Sequence, residues 1–553
     1  MSVQNDTKPP VPVSRNTQDS SAQQTSVNIV GAGLAGLSAA ITLAEAGVKS
    51  RLISRAPSER AQSVLAEGGI NAVLDHYGET DTIEDHLADT VKGGVFLADR
   101  KAVRGLVSEA PDIIAYLSSL GVPFNVKEDG RIAQRYFGGQ KKRRTAYVGS
   151  FTGKMLMSAL IDEARKYEAA GLIERFDHHV FVRLMTSGDR VCAGLLVQDL
   201  QTGKADSFDG PVLLASGGLN GMFPGKTTGT AYNTGDVTAR VFAQGVALSN
   251  PEMIQYHPTT IAIPGKRMLI TEAARGEGGR LYIHTAGTAR ERYYFMEDRY
   301  PELGNLMPRD VVSREIHKVL HDHAFEDQVY LDMTALPEDV WNNRLNELRE
   351  EIIHYLAIDP KTAPVPVSPG IHYFMGGIDV DRFHRTNLRN LYAAGECCSL
   401  YHGANRLGGN STMGAIYGGR VAARTLIHDI PEYMQTPFST ADTQRDDAAF
   451  AEASPAFCER VGDILFEGLG IVRDEAGLHA ALGQIKSTKA ENACEQNRLL
   501  LAQAMLEGAL LRKESRGAHF RSDFPETGDR PYVVRMIYCE DGLQSQILDV
   551  DTE

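Results

Sequence analysis

The most constraining stretch lies near the start of the chain, where Ser26 to Ser54 reads "SVNIVGAGLAGLSAAITLAEAGVKSRLIS". An apolar β-type run, Val27 to Val30, leads into Gly-Ala-Gly-Leu-Ala-Gly, then an Ala- and Leu-rich helical pattern, then a second β-type run. This strand, turn and helix order is the βαβ dinucleotide fingerprint in its required setting. Gly31 makes the tight turn, Gly33 lets a pyrophosphate approach the backbone, and Gly36 lets the helix sit against the sheet. The acidic residue expected at the end of the second strand is absent, and Ser54 and Arg55 stand there instead. A ribose contact must then come from elsewhere, or from a hydroxyl and backbone. At this point NAD and FAD are both open.

The far part of the chain separates them. Thr386 to Leu426, "TNLRNLYAAGECCSLYHGANRLGGNSTMGAIYGGRVAARTL", has a strand-like "NLYAAGE", a polar Gly/Asn loop and an Ala/Gly-rich helix. A second strand, loop and helix returning to the same sheet would grip a long cofactor along its whole length, which is what FAD needs. With 553 residues the chain exceeds one core, so two to four domains are expected. Its 42% hydrophobic and 23% charged residues are those of a soluble globular protein, and no apolar run is long enough to span a bilayer. A net charge of −14 disfavours nucleic acid or an anionic membrane as a general partner but leaves room for an anionic substrate, which depends on local charge. The first 25 residues are polar and rich in Pro, Ser and Gln, and read as a disordered tail without a signal-peptide core. The six cysteines show no CxxC spacing, so they suggest reduced thiols in a cytoplasm and offer no frame for a metal or iron–sulfur cluster.

Ten segments, in order, carry a resemblance: "GAGLAGLSAA", "AEGGINAV", "RYFGGQKKRRTAYVGSFTG", "QYHPT", "LITEAARGEGG", "PRDVVSREI", "HYFMGGI", "AAGECC", "HGANRLGGNS" and "ESRGAHFRSDFP". The chain resembles the flavoprotein subunits of succinate dehydrogenase and fumarate reductase, with L-aspartate oxidase as a relative, over nearly its whole length. The resemblance implies an α/β fold. A Rossmann-like FAD-binding domain would occupy residues 26–247 and 368–432, a capping domain 248–367, a helical domain 433–512, and a small β-containing C-terminal domain 513–553. The C-terminal part is short beside that of longer members.

In the covalently flavinylated members, a histidine in an R-S-H-T-V-A-A-E-G-G type segment carries the bond to the flavin 8α carbon. Here the register reads "RAQSVLAEGG", with Gln62 at that place. An amide is not a nucleophile, so the resemblance implies FAD held without a covalent bond. Losing that electron-withdrawing link makes the flavin the stronger reductant, which leans the chain towards reducing an alkene.

The family moves a hydride from flavin N5 to one alkene carbon of fumarate while a proton reaches the other. By resemblance, His257, Thr271, His372 and Arg406 hold the dicarboxylate, Arg309 is the proton donor, and Glu272 and Arg275 re-protonate it. An arginine acid needs such a relay, because its free pKa is above 12. For FAD the resemblance points to Gly31, Gly33, Gly36, Ser54, Arg55, Ser63, Gly68, Gly69, Asp236, Glu396, Asn410 and Ser411. No metal site is expected.

The nearest rival is L-aspartate oxidase, which recognises the substrate's ammonium with a glutamate in an R-E-G-G type segment. Phe137 of "RYFGG" takes that place here, and an ammonium beside a phenyl ring loses its ion pair. A flavin-bearing electron-transfer or scaffold subunit is a second rival, against which the intact Thr271, Glu272, Arg309 and Arg406 argue. An enzyme acting on another unsaturated acid is a third. Electrons are expected from an iron–sulfur subunit docked beside the flavin domain, with a free-standing enzyme fed by reduced flavin as the alternative. The expected location is cytoplasmic, reaching a membrane only through a partner subunit.

Overall fold

A computed structural model describes residues 25–187, 190–435 and 450–550. Apart from Thr25, the polar tail expected at the N-terminus lies outside the described residues, as does part of the segment between the Ala/Gly-rich helix and the later helices.

The fingerprint folds as its composition requires. Strands Val27–Val30 and Ser50–Ser54 pair in parallel through helix Leu34–Glu45, with Ile29 opposite Leu52. Val212–Leu214 flanks the first strand, Leu391–Ala393 lies beyond it, and Ile173–Asp177 forms the opposite edge, all in parallel. Strands 27–30, 212–214 and 391–393 are buried along their whole length, as a parallel sheet covered on both faces requires, while the edge strand Ile173–Asp177 is polar and partly open. The strand from residues 391–393 confirms that the second Gly-rich segment returns to the same sheet.

Two glycines decide how closely the elements meet. Gly31 has φ of +117°, a conformation L side chains rarely adopt, and a Cβ there would lie 2.1 Å from the Ala215 carbonyl oxygen. A Cβ on Gly36 would lie 1.8 Å from the Gly31 carbonyl oxygen, so only glycine lets this helix seat against the turn. Helix Asn410–Gln435 lies against helix Leu34–Glu45.

A second, mainly antiparallel sheet orders Lys266–Leu269, Ile254–Ile263, Val365–Phe374, Phe325–Asp332, Arg280–Thr285 and Arg292–Tyr293. It has its own apolar cluster, including Ile283, Val312, Val329 and Trp341, covered by helix Arg309–Leu320. The same long strands, 254–263 and 365–374, run on towards the first sheet and so carry side chains into the space between the two cores.

Helices Pro455–Gly468, Glu475–Ser487 and Ala493–Leu511 follow, each started by a side-chain cap from Ser454, Asp474 and Asn492. They are bound to the rest through buried ion pairs: Arg498 Nε donates to Asp236 at 2.8 Å and Arg512 Nε to Glu252 at 2.7 Å. The hairpin Tyr532–Cys539 and Gly542–Asp549 supplies the expected β-structure at the C-terminal end and pairs with Leu248–Ser249. Among the described residues no helix is long and apolar enough to cross a membrane.

Candidate active site

One long cavity runs from the fingerprint turn to strands 254–263 and 365–374 of the second sheet. Its first part is lined by Gly31, Gly33, Ser54, Arg55, Ser63, Gly68, Gly69, Asp236, Glu396 and Ser411, all expected at the cofactor. Helix Leu34–Glu45 starts here without a side-chain cap of its own, with Gly33 at the cap position, and its Leu34 N–H donates to Ser63 Oγ at 3.2 Å. A helix start without its own cap is suited to a phosphate. Glu396 accepts one bond, from the Phe374 N–H at 3.2 Å, and burial pushes its carboxyl up to about 7. Such a carboxyl gains from a hydroxyl donor. The residues present therefore fit a dinucleotide with a ribose.

Three expected cofactor residues have other engagements. Gly36 packs the helix on the turn, as its place in the fingerprint implies. Asp236 lines the cavity while its carboxylate is held by Arg498. Asn410 is buried behind the wall: its side chain bonds Asn71 at 2.7 Å, His86 at 3.2 Å and Thr90 at 3.0 Å. Asn410 is the first residue of its helix, and Gly409 and Ser411 on either side line the cavity.

The run Ser58 to Val73 wraps the middle of the cavity as two short 3-10 turns, Ser58–Arg60 and Gln62–Leu65, and a strand from Ile70. Gln62 lines it, and its Oε1 accepts the Thr230 N–H at 2.6 Å.

At the far end the expected substrate residues meet. His257, Thr271, Glu272, Arg309, His372, Arg406 and Phe137 all line this part. Arg309 opens its helix, and its guanidinium bridges two carriers. Nε and Nη2 donate to Glu272 Oε2 at 2.9 and 2.8 Å, and Nη1 donates to Gln255 Oε1 at 3.2 Å. The other Glu272 oxygen accepts the Gly138 N–H at 3.0 Å and lies 3.6 Å from Arg275 Nη2. Burial alone would push the Glu272 carboxyl up, but Arg309, Arg275 and the amide outweigh it and hold it below the usual range. Arg275 stands behind Glu272, outside the cavity lining, with Nη1 donating to the Asn305 carbonyl.

The two histidine rings stand edge to face, 5.2 Å between centroids. Burial, then the neighbouring arginines, holds both well below the usual imidazole range, so both are neutral. His257 Nε2 is buried without a partner. Its Nδ1 lies 3.3 Å from the Thr259 amide nitrogen and 3.1 Å from the Thr259 carbonyl, so the tautomer follows whatever Nε2 meets. Facing a carboxylate, Nε2 donates and Nδ1 accepts the amide. His372 Nδ1 lies 2.8 Å from the Thr228 hydroxyl, which frees its other nitrogen in the same way.

Arg406 bonds Ser411 Oγ at 2.7 Å through Nη1 and stacks 4.4 Å over the Tyr373 ring, while its Nε has no partner. Burial and repulsion from Arg309 lower it to about 9. Three buried guanidiniums thus share one ionised carboxylate at this end, a charge state that calls for an anion.

Three contributors lay outside the sequence expectations. Gln255 fastens Arg309 and also donates to Asn405 and the Arg406 carbonyl, both at 2.8 Å. Tyr373 supports Arg406, and Thr228 orients His372. Gln255 had a signal, since it sits two residues before His257 on one strand and shares its face.

Against known proteins, residues 26–412 match the family described as FAD binding domain and residues 488–552 match the Fumarate reductase flavoprotein C-term family. The succinate dehydrogenase flavoprotein subunit of Bacillus subtilis is 36% identical, over 92% of this chain and 93% of that protein. The chain belongs to the succinate dehydrogenase and fumarate reductase flavoprotein family. It is an FAD-dependent oxidoreductase of the kind that acts on CH–CH groups. A solved quinol-fumarate reductase with menaquinol molecules aligns at a TM-score of 0.85 and 29% identity, covering 96% of this chain and 98% of that one. L-aspartate oxidase of Streptomyces coelicolor is also related, 32% identical over 92% of this chain and 91% of the relative.

Proposed function

We propose that this chain is the catalytic flavoprotein subunit of a fumarate reductase, with FAD held non-covalently. The observation that carries the reading is the surplus of buried cations, Arg309, Arg406 and Arg275 against Glu272, beside two neutral histidines at one end of a glycine-lined cavity. A four-carbon dianion answers both needs. One carboxylate takes the planar fork of Arg406 and the free nitrogen of His372, and the other takes His257 Nε2 and the Thr271 hydroxyl. Bound FAD would supply a hydride to one alkene carbon. Arg309 gives the proton to the other, and Glu272, joined to it by two direct hydrogen bonds and backed by Arg275, relays a proton back to it. Gln255 keeps the donor aimed. Burial of the site strengthens each of these contacts.

The domain division read from the sequence belongs to this account. The sheet of residues 26–247 and 368–432 holds FAD, and the cap of 248–367 carries His257, Thr271, Glu272 and Arg309 over it. An iron–sulfur subunit is the proposed electron donor, in a cytoplasmic setting.

Gln62 supports the non-covalent reading, because its amide accepts a backbone bond and has no nucleophilic lone pair. Acid precipitation is expected to leave a colourless pellet and a yellow supernatant; a yellow pellet would contradict it. The oxidase alternative rests on a carboxylate where Phe137 stands. Phe137 is buried between Gly68 and Gly408. Anaerobic mixing of the oxidised protein with L-aspartate is therefore expected to leave the flavin absorbance unchanged. Rapid bleaching would replace this reading with amino-acid oxidation.

A further inference from the structure

The outer end of strand Ser50–Ser54 is met by a segment from far down the chain. Phe450 lines the cavity with Ser54, Arg55, Val180 and Phe181, and Arg55 is ion-paired with Glu452. The segment is fastened from three sides. The Phe450 N–H donates to Gln198 Oε1 at 2.9 Å, Arg240 Nη2 donates to the Ala451 carbonyl at 3.2 Å, and Asn492 Nδ2 donates to the Glu452 carbonyl at 3.1 Å. The Arg240 guanidinium also lies 4.9 Å from the centre of the Phe450 ring, which fixes the ring's position. Phe450 and Glu452 fall between the two stretches that match family models, residues 26–412 and 488–552, and belong to none of the motifs that drew attention to the site.

We propose that Phe450 is a cofactor-binding residue that walls the adenosine end of FAD, and that the Arg55–Glu452 ion pair holds the wall in place. Ser54 and Arg55 end the strand that follows the fingerprint helix, the position at which such folds receive the adenosine ribose. A side chain that lines the cavity beside them is therefore beside the adenosine. An aromatic ring is suited to a purine, through offset or edge-on packing. The inference rests on the reading of this cavity as a site for dissociable FAD. Without a covalent link, all cofactor retention comes from contacts of this kind.

The test is reconstitution of the full-length apoprotein with FAD, followed by quenching of flavin fluorescence, with ADP as a second probe that lacks the flavin half. Phe450→Ala is expected to weaken FAD and ADP alike, by roughly tenfold, and Phe450→Tyr to restore most of the loss. The Arg55–Glu452 pair is partly exposed, with side-chain exposures of 27% and 54%. Glu452→Gln is thus expected to weaken FAD only about two- to threefold, an effect that fades at high salt. Unchanged FAD affinity in Phe450→Ala would overturn the proposal, as would a loss for FAD without one for ADP. Should Phe450→Ala fail to fold, the exposed Glu452→Gln decides, and wild-type affinity at low salt overturns the latch. A flavin that stays with the denatured wild-type chain overturns the dissociable-cofactor reading itself, and is distinguishable from equal FAD affinity in wild type and variants.

Discussion

Arg309→Gln is expected to lower the turnover of fumarate by at least about 10³-fold while the protein keeps its FAD. A positioned acid contributes roughly 10²–10⁴ to rate, and here the same group also carries charge next to the reacting carbons. Gln cannot replace either role. The substitution removes both hydrogen bonds to Glu272 Oε2 and leaves that carboxylate with the Gly138 amide and Arg275. With Arg309 gone, only Arg275 and the Gly138 amide oppose the effect of burial, so the Glu272 carboxyl moves up from its lowered position. Breaking a buried pair also costs about 3–5 kcal/mol, so flavin content and thermal stability are measured beside the rate. Arg309→Lys returns the charge but cannot span Glu272 and Gln255 together; it is expected to recover stability and little of the turnover. Near-full turnover in a flavin-loaded Arg309→Gln protein would remove Arg309 from the chemistry.

Arg406→Lys is expected to act on binding instead. The ammonium keeps one positive charge but loses the fork and the flat face that stacks on Tyr373. Losing one charge-assisted hydrogen bond of about 1.5–3 kcal/mol corresponds to roughly a 10- to 150-fold rise in KM for fumarate, with a smaller fall in kcat. A kcat loss as large as that of Arg309→Gln at unchanged KM would mean that Arg406 serves the proton rather than the carboxylate.

How far the sequence was readable depended on what each position does. The glycines of the fingerprint declared themselves because a backbone requirement, positive φ at Gly31 and close approach at Gly36, leaves no other residue. Arg309, Glu272 and Arg406 were readable only through resemblance, since a buried arginine looks the same in a sequence as an exposed one. Asn410 was misread in one respect: a polar residue in a Gly/Asn loop has several backbones and side chains within reach, and His86, Asn71 and Thr90, distant in sequence, take its amide. Gln255 was within reach of simple strand alternation from His257. Phe450 was not, because the contact that gives it meaning is made with a strand some four hundred residues earlier, and no local pattern encodes it. The sheet, the cap and the later helices were legible as elements; the ion pairs that bind them, such as Arg498 with Asp236, were not.

The measurement closest to the central claim is anaerobic and uses a single turnover. The flavin of the purified protein is reduced, fumarate is added, and the return of the oxidised flavin absorbance is followed, with succinate as the control. Rapid reoxidation by fumarate, abolished in Arg309→Gln, is the expected result. A flavin that stays reduced with fumarate at millimolar concentration would contradict the assignment of this cavity to a dicarboxylate alkene.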